Sequence, residues 1–350
     1  MSQYWTELVK RLDPYTPGEQ PQDQQYIKLN TNENPYPPAA SVLQAIDDFD
    51  KQRLRLYPDP ESARLRNALA KYHSVESHNV FLGNGSDEVL AHSFQAFFKR
   101  DKPLLFPDIS YSFYPVYCGL YQIDYQPIPL AQDFIINIDD YAVDHGGIIF
   151  PNPNAPTGLL MALDQVEQLC RNSDSVVIVD EAYIDFGGKS AVALTRQFDN
   201  LLVIRTFSKS RSLAGIRLGY AIGQRDLIEA LNRVKNSFNS YPVDALAQAA
   251  ALASVADDEV FTAGCEQIIR TRESMTHQLS AMGFRVLPSA ANFVFAEHRK
   301  QPARKIYQAL KKNGVLVRYF DQPRIDNFLR ITVGTDDDVA QLVEQLKVIL

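Results

Sequence analysis

The sequence predicts an α/β protein: a large domain on a mostly parallel central sheet, a smaller C-terminal α+β domain, and an N-terminal arm. Three observations carry that expectation. Short β-rich apolar runs alternate with helical patterns from about Val80, the alternation changes character after about Ser280, and the first forty residues are rich in Pro, Gln and Asn with little apolar material for a core. The expected boundaries are 1–40 for the arm, packed on the small domain or on a partner subunit, 41–240 for the large domain, and 241–350 for a connecting helix and the small domain.

The runs are Val80–Leu82, Leu104–Phe106, Ile148–Phe150, Val176–Val179, Leu201–Ile204 and Leu218–Ile222, each ending in a polar or Gly/Pro turn. Such runs suit strands buried on both faces of a parallel sheet. A long helical stretch follows from about Asp226 to Ser280. Val286, Asn292–Ala296, Val315–Val317 and Leu329–Val333 then read as short strands with two clear helices among them. The last helix has Thr335 as its cap, acids in its first turn, and Val339, Leu342, Val343 and Leu346 on one face.

Composition narrows the functional classes. The 350 residues are 45% hydrophobic and 22% charged, enough for a sizeable core. The net charge of -7, from 42 acids against 35 bases, argues against a nucleic-acid footprint, which needs a basic face. Cys118, Cys170 and Cys265 are widely spaced, form no metal-like cluster and fit a reducing compartment. The opening MSQYWTELVKRLDPY carries acids and no apolar core of a signal peptide. The longest apolar stretch, around Ala245–Ala256, is interrupted by Gln248 and Ser254 and falls short of the about 20 apolar residues a bilayer span needs. A cytoplasmic protein, without nucleic-acid or membrane partners and without a metal, is the expectation.

Three candidate sites fall just beyond the C-terminal ends of predicted strands, where open α/β sheets bind ligands. Asp180 closes the apolar run in VVIVDEAY, and a carboxylate there is costly to bury unless a cation or donors meet it. It could equally cap the following turn. Lys209 follows the run in LLVIRTFSKSRSLAGIRLGY; a solvated loop lysine is the ordinary alternative. With Ser208 and Arg217 it offers an amine, a hydroxyl and a guanidinium, a set that suits a phosphate ester beside an aldehyde. The turn Gly83-Asn84-Gly85-Ser86-Asp87-Glu88 opens a helix whose free N–H groups suit an anion, though a plain capping turn would look the same.

In this order and combination the elements resemble the fold-type I aminotransferases, which use pyridoxal 5'-phosphate, and within them the histidinol-phosphate aminotransferases. The resemblance covers nearly the whole chain: DPYTPG at Asp13–Gly18, KLNTNENPYPP at Lys28–Pro38, YPDP at Tyr57–Pro60, GNGSDE at Gly83–Glu88, SYSFY at Ser110–Tyr114, NPNAPTG at Asn152–Gly158, DEAY at Asp180–Tyr183, TFSKSRSLAGIRLGY at Thr206–Tyr220 and LRITVGT at Leu329–Thr335.

The resemblance implies roles. Lys209 would hold the cofactor's aldehyde through its amine and, once displaced by substrate, shuttle a proton. Asp180 would pair with the protonated pyridine nitrogen, and Tyr183 would bond the ring's phenolic oxygen. Tyr111 would stack on the ring, although an aromatic there is otherwise core. Gly85, Ser86, Asp87, Ser208 and Arg217 would form the phosphate cup. Tyr57 would reach the phosphate from the neighbouring subunit, which implies a homodimer with shared sites. One departure stands out: many relatives have asparagine directly before Pro-Thr-Gly, where it also bonds the phenolic oxygen. This chain has Ala155 there, and Asn154 is the expected substitute.

Substrate contacts are expected from the arm and the small domain. Arg330 matches the arginine that grips substrate carboxylates, and Arg318 is a second cation on a preceding strand. A surface salt bridge is the common fate of either. With Tyr15 they suit a phosphate dianion, and Asn32 and Asn292 fit as further polar contacts. The reaction so implied exchanges an amino group between L-histidinol phosphate and 2-oxoglutarate, giving imidazole acetol phosphate and glutamate in histidine biosynthesis. An aromatic amino-acid aminotransferase is the nearest rival, a phosphothreonine-type decarboxylase the next, and a cofactor-sensing regulator the last.

Overall fold

The computed structural model describes residues 3–350. After a two-residue strand in the arm, β1 (Ile27–Lys28), the chain builds one seven-stranded sheet. Its strands are β2 (Val80–Asn84), β3 (Leu104–Pro107), β4 (Tyr125–Ile128), β5 (Gly147–Pro151), β6 (Val177–Asp180), β7 (Leu201–Thr206) and β8 (Leu218–Gly223). They lie in the order β2-β8-β7-β6-β5-β3-β4. The sheet is mostly parallel, as expected, and β8 alone runs against both of its neighbours. The cause is the connection before it. Between β7 and β8 lies a loop with a single 3-10 turn, Ala214–Ile216, and no crossover helix, so the chain returns directly alongside the strand it has left. That loop carries Lys209.

Alternation along the central strands divides the core. Val177, Val179, Leu201 and Val203 face one cluster, while Ile178, Leu202 and Ile204 face the other with Phe94 and Phe98. All are buried, each contributing on the order of 1.5–3 kcal/mol. β4 was not among the predicted strands, and its physics explains why. It is an edge strand, three of its four residues are exposed, and it contains Pro127.

The helical stretch after β8 is three helices, Arg225–Phe238, Ala245–Ala256 and Asp258–Ala281. Tyr241 and Pro242 interrupt the first pair, and Asp244 caps the second helix by accepting from Ala247 N at 2.8 Å. Ala245–Ala256 packs into the large-sheet core through Ala247, Ala250, Ala251 and Val255. Asp258–Ala281 instead contributes Ile268, Met275 and Leu279 to the second core.

That second core lies behind an antiparallel sheet of β9 (Phe284–Val286), β10 (Phe293–His298), β12 (Arg318–Tyr319) and β13 (Leu329–Thr332), in the order β12-β13-β10-β9. β11 (Val315–Leu316) pairs in parallel with β1, and Thr332 N donates to Leu29 O at 2.9 Å. Residues 27–29 of the arm are therefore stitched to the C-terminal sheet of their own chain. The last helix, Asp336–Ile349, starts as expected at Thr335, in a reciprocal cap with Asp338. Among the described residues no helix is long and apolar enough to cross a membrane.

Candidate active site

The C-terminal ends of β6 and β7, the start of the helix Gly85–Ser93, the arm and the ends of β12 and β13 converge on one cavity of about 230 Å³. Twelve of the expected residues line it: Tyr15, Asn32, Ser86, Asp87, Tyr111, Asp180, Tyr183, Ser208, Lys209, Arg217, Arg318 and Arg330.

Lys209 sits just past β7 with its Nζ donating to Thr31 O at 3.1 Å. Burial, reinforced by the charge of Arg330, pulls its amine down to about 8. The loop around it is fixed from two sides. Asn34 Nδ2 donates to the carbonyls of Lys209 (3.1 Å) and Ser210 (3.3 Å). Ser210 Oγ donates to Asp185 Oδ2 at 2.6 Å, and Asp185 is ion-paired with buried Arg205.

Asp180 closes β6 at 4% exposure. It accepts from the Tyr114 hydroxyl (3.1 Å) and from Ala182 N (3.2 Å). Burial raises its carboxyl to about 6, against the pull of those two donors. Among the described residues no cation pairs with this buried carboxylate on the cavity wall, and a positive group placed there would be stabilised by it.

At one end of the cavity the helix Gly85–Ser93 begins, with Ser86 and Asp87 on the wall. Two glycines make the approach possible. A Cβ on Gly85, whose φ is +79°, would lie 2.6 Å from Arg217 Nη2, and one on Gly219 would lie 2.3 Å from Ser86 N. Arg217 donates to Asp87 Oδ2 (3.1 Å) and Ser208 Oγ (3.4 Å), while the Tyr111 hydroxyl donates to Asp87 Oδ1 (2.9 Å).

The other end is built differently. Arg318 and Arg330 stand directly opposite each other on β12 and β13, and no carboxylate pairs with either among the described residues. Arg330 donates to Asn30 O at 3.0 Å, its Nε is buried without a partner, and its guanidinium lies over Phe293 and Phe320.

This geometry has known counterparts. Residues 24–346 match the family model for aminotransferase class I and II. Histidinol-phosphate aminotransferase 1 of Hydrogenovibrio crunogenus is 58% identical over 351 residues, with 100% of this chain and 99% of that protein covered. The chain belongs to the histidinol-phosphate aminotransferase family, within aminotransferase class I and II. Histidinol-phosphate aminotransferase 1 of Pseudomonas fluorescens is 57% identical, with 99% of both chains covered. In structure, the histidinol-phosphate aminotransferase of Sinorhizobium meliloti, solved in complex with pyridoxal-5'-phosphate, matches with a TM-score of 0.89 at 22% identity, covering 100% of this chain and 99% of that one. A Thermus thermophilus aspartate aminotransferase variant shares the same fold with a TM-score of 0.82 at 19% identity, over 100% of both chains.

Four expected residues of this aminotransferase lie off the cavity wall. Gly85 sits behind Arg217. Asn292 is fully buried and donates to Asn32 O at 3.0 Å. Tyr57 is 83% exposed and stacks on Tyr241 with ring centroids 4.7 Å apart. Asn154 requires a correction: its amide nitrogen is committed to Ile109 O (3.0 Å) and Thr157 Oγ1 (3.1 Å), and Ala155 lines the cavity in its place. Asn154 therefore cannot take over the contact that Ala155 lacks.

Three contributors were absent from the expected set: Tyr114 on Asp180, the Thr31 carbonyl on Lys209, and Asn34 on the lysine loop. All three belong to motifs already singled out, SYSFY and KLNTNENPYPP, but nothing in those strings tells which residue reaches across. The residues present fit a pyridoxal phosphate: a neutralisable amine, a carboxylate lacking its cation, and a glycine-opened helix start beside an arginine.

Proposed function

We propose that this aminotransferase moves an amino group between L-histidinol phosphate and 2-oxoglutarate, forming imidazole acetol phosphate and glutamate in histidine biosynthesis. Relatives 55–58% identical along the whole chain carry that activity in their names. Pyridoxal 5'-phosphate is the cofactor. When bound, it supplies an aldehyde that takes up the amino group and a ring that draws electrons from the substrate carbon.

The chain's own residues do the rest. Lys209 would hold the cofactor through Nζ and, once released, move the proton at the substrate carbon. Asp180, fixed by Tyr114, would keep the ring nitrogen protonated. Tyr183 would donate to the phenolic oxygen, and Tyr111 would cover the ring. Ser208, Arg217 and the backbone of Gly85, Ser86 and Asp87 would take the phosphate. Residues 41–240 act as the cofactor-binding body, and the arm with 241–350 reads the substrate. Tyr15, Asn32 and Asn292 support that end, Asn292 through Asn32.

The observation that carries the substrate reading is the facing pair Arg318 and Arg330, with no ion pair to a carboxylate among the described residues. A phosphate dianion can satisfy two guanidinium groups, while a carboxylate needs one. Single-turnover reactions of purified enzyme with histidinol phosphate, glutamate and phenylalanine test it through the cofactor's absorption. Histidinol phosphate should react fastest. Phenylalanine in first place would favour the aromatic rival, and carbon dioxide release the decarboxylase.

A homodimer completes the proposal. Tyr57, Leu54, Leu56 and Phe238 leave an exposed apolar surface, which a second copy would cover while Tyr57 reaches its partner's phosphate site. Mixing Tyr57→Phe with Lys209→Ala chains should restore part of the lost activity, because one site of the hybrid carries neither lesion. Proven hybrids without recovery would assign Tyr57 to its own subunit's site. Three buried, unpaired cysteines accord with a cytoplasmic setting.

A further inference from the structure

The Tyr183 hydroxyl lies on the cavity wall, and what it can give depends on what it receives. A phenol has one proton to donate and lone pairs to accept with. Asn32 Nδ2 is 3.0 Å from that hydroxyl, so Tyr183 accepts there and keeps its own proton for the cavity, provided the amide faces it nitrogen-first.

A buried triangle favours that orientation. Asn32 is 1% exposed and Thr332 is 2% exposed. The Asn32 backbone N–H donates to Thr332 Oγ1 at 3.0 Å, and Thr332 Oγ1 is 3.0 Å from Asn32 Oδ1. A hydroxyl that accepts the backbone N–H has its proton left to give, and the amide oxygen at 3.0 Å takes it, which favours the orientation with the amide nitrogen toward Tyr183. Asn292 Nδ2, donating to Asn32 O, pins the main chain in its left-handed conformation, φ 56°, which asparagine tolerates better than most residues.

Position 155 makes this consequential. Ala155 packs in one small cluster with Phe293, Ala291 and the Tyr183 ring, and its methyl offers no donor on that wall. Asn154 is turned away into its own loop. We propose that Asn32, oriented by Thr332, is a positioning residue that makes Tyr183 a committed donor toward the cofactor's phenolic oxygen, offsetting from the arm the contact that Ala155 cannot make. The proposal rests on pyridoxal phosphate being held by Lys209. Because Thr332 lies on β13 and Tyr183 beyond β6, the relay also makes donor strength depend on how the C-terminal sheet is seated.

The test is a pH titration of the holoenzyme's visible absorption. A donor disperses negative charge on the phenolic oxygen, so the bound cofactor gives up its proton at lower pH, and losing the donor raises the midpoint. Thr332→Val should raise it by about 0.4–1 pH unit, the equivalent of one neutral hydrogen bond. Thr332→Ser, which keeps the hydroxyl, should leave it unmoved. Asn32→Ala should raise it at least as far. In a Tyr183→Phe background, Thr332→Val should add nothing, since its effect runs through the missing hydroxyl. An unmoved midpoint in Thr332→Val, or an equal shift with and without Tyr183, overturns the relay. Borohydride labelling of the same samples separates the two ideas. A labelled Lys209 with an unmoved midpoint removes the relay alone; an unlabelled Lys209 removes the cofactor assignment and the relay with it.

Discussion

The cavity has two arginine ends in opposite electrostatic states. Arg217 is 43% exposed, paired with Asp87 at 3.1 Å and tied to the Ala214 carbonyl at 3.2 Å. Arg330 and Arg318 face each other across neighbouring strands, and among the described residues no carboxylate forms an ion pair with either, an arrangement that like charges disfavour. The contrast separates a seat from a receptor. The Arg217 end has its charge compensated and its geometry fixed before anything binds, which suits a resident group. The Arg318–Arg330 end carries positive charge that an incoming anion relieves, which suits a ligand that comes and goes. The same unrelieved charge reaches Lys209 and helps hold its amine low.

That comparison can be broken in several ways, beginning with the amine between the two ends. Lys209→Ala should cut turnover by on the order of 10²–10⁴ with either amino donor, the span typical of a lost acid–base group. Residual turnover close to that of the unaltered enzyme, in a burst-free assay of cofactor-loaded protein, would mean that the two ends do not serve this lysine.

The receptor end should then divide by substrate. Arg318→Ala should weaken histidinol phosphate relative to glutamate by roughly 1.5–3 kcal/mol, about ten- to a hundredfold in single-turnover half-reactions. Arg330→Ala should weaken both alike. If Arg318→Ala harms both substrates equally, the dianion argument fails and the two arginines act as one.

The seat should respond to geometry more than to charge. Arg217→Lys keeps the charge but loses the planar fork, so cofactor dissociation measured by equilibrium dialysis should rise about tenfold, with substrate preference unchanged. A change of preference would show that the two ends are not separable.

The smallest effect is a pH shift. Cofactor capture by apoenzyme needs the neutral amine, so its rate should rise with pH and level off above about 8. Arg330→Met removes the positive neighbour that, after burial, does most to lower that value, and the inflection in stopped-flow capture rates should move to higher pH. An inflection that stays put would confine Arg330's influence to the substrate.

The groups legible in the sequence were those whose place follows from local chain geometry. Asp180 and Lys209 sit where an apolar run ends, and strand ends in open α/β sheets are where ligands bind. The buried strands were legible for the same reason, since continuous apolar runs such as Leu201–Ile204 have few other uses. β4 was not, because an exposed edge has no hydrophobic signature to read. The reversal of β8 was hidden because direction depends on the connection, and apolar runs look alike in either sense. Tyr114, Asn34 and the true bearing of Asn32 were out of reach because each acts across the fold, at separations of 66, 175 and 151 residues. Asn154 misled because its amide is taken up by Ile109 and Thr157, contacts the sequence does not reveal.

The stitching of the arm has a consequence for how the protein is made. Asn32 and Asn30 bond to Thr332 and Arg330 across 300 residues, and β1 pairs with β11. The arm leaves the ribosome well before its partners, which are synthesised 300 residues later. A nascent chain can complete the seven-stranded sheet, Lys209 included, while the Thr31 carbonyl and the Asn34 clamp still have no C-terminal sheet to hold them in register. Translation stalled before β13 should therefore yield folded but inert chains, and activity should switch on only once β13 has been made.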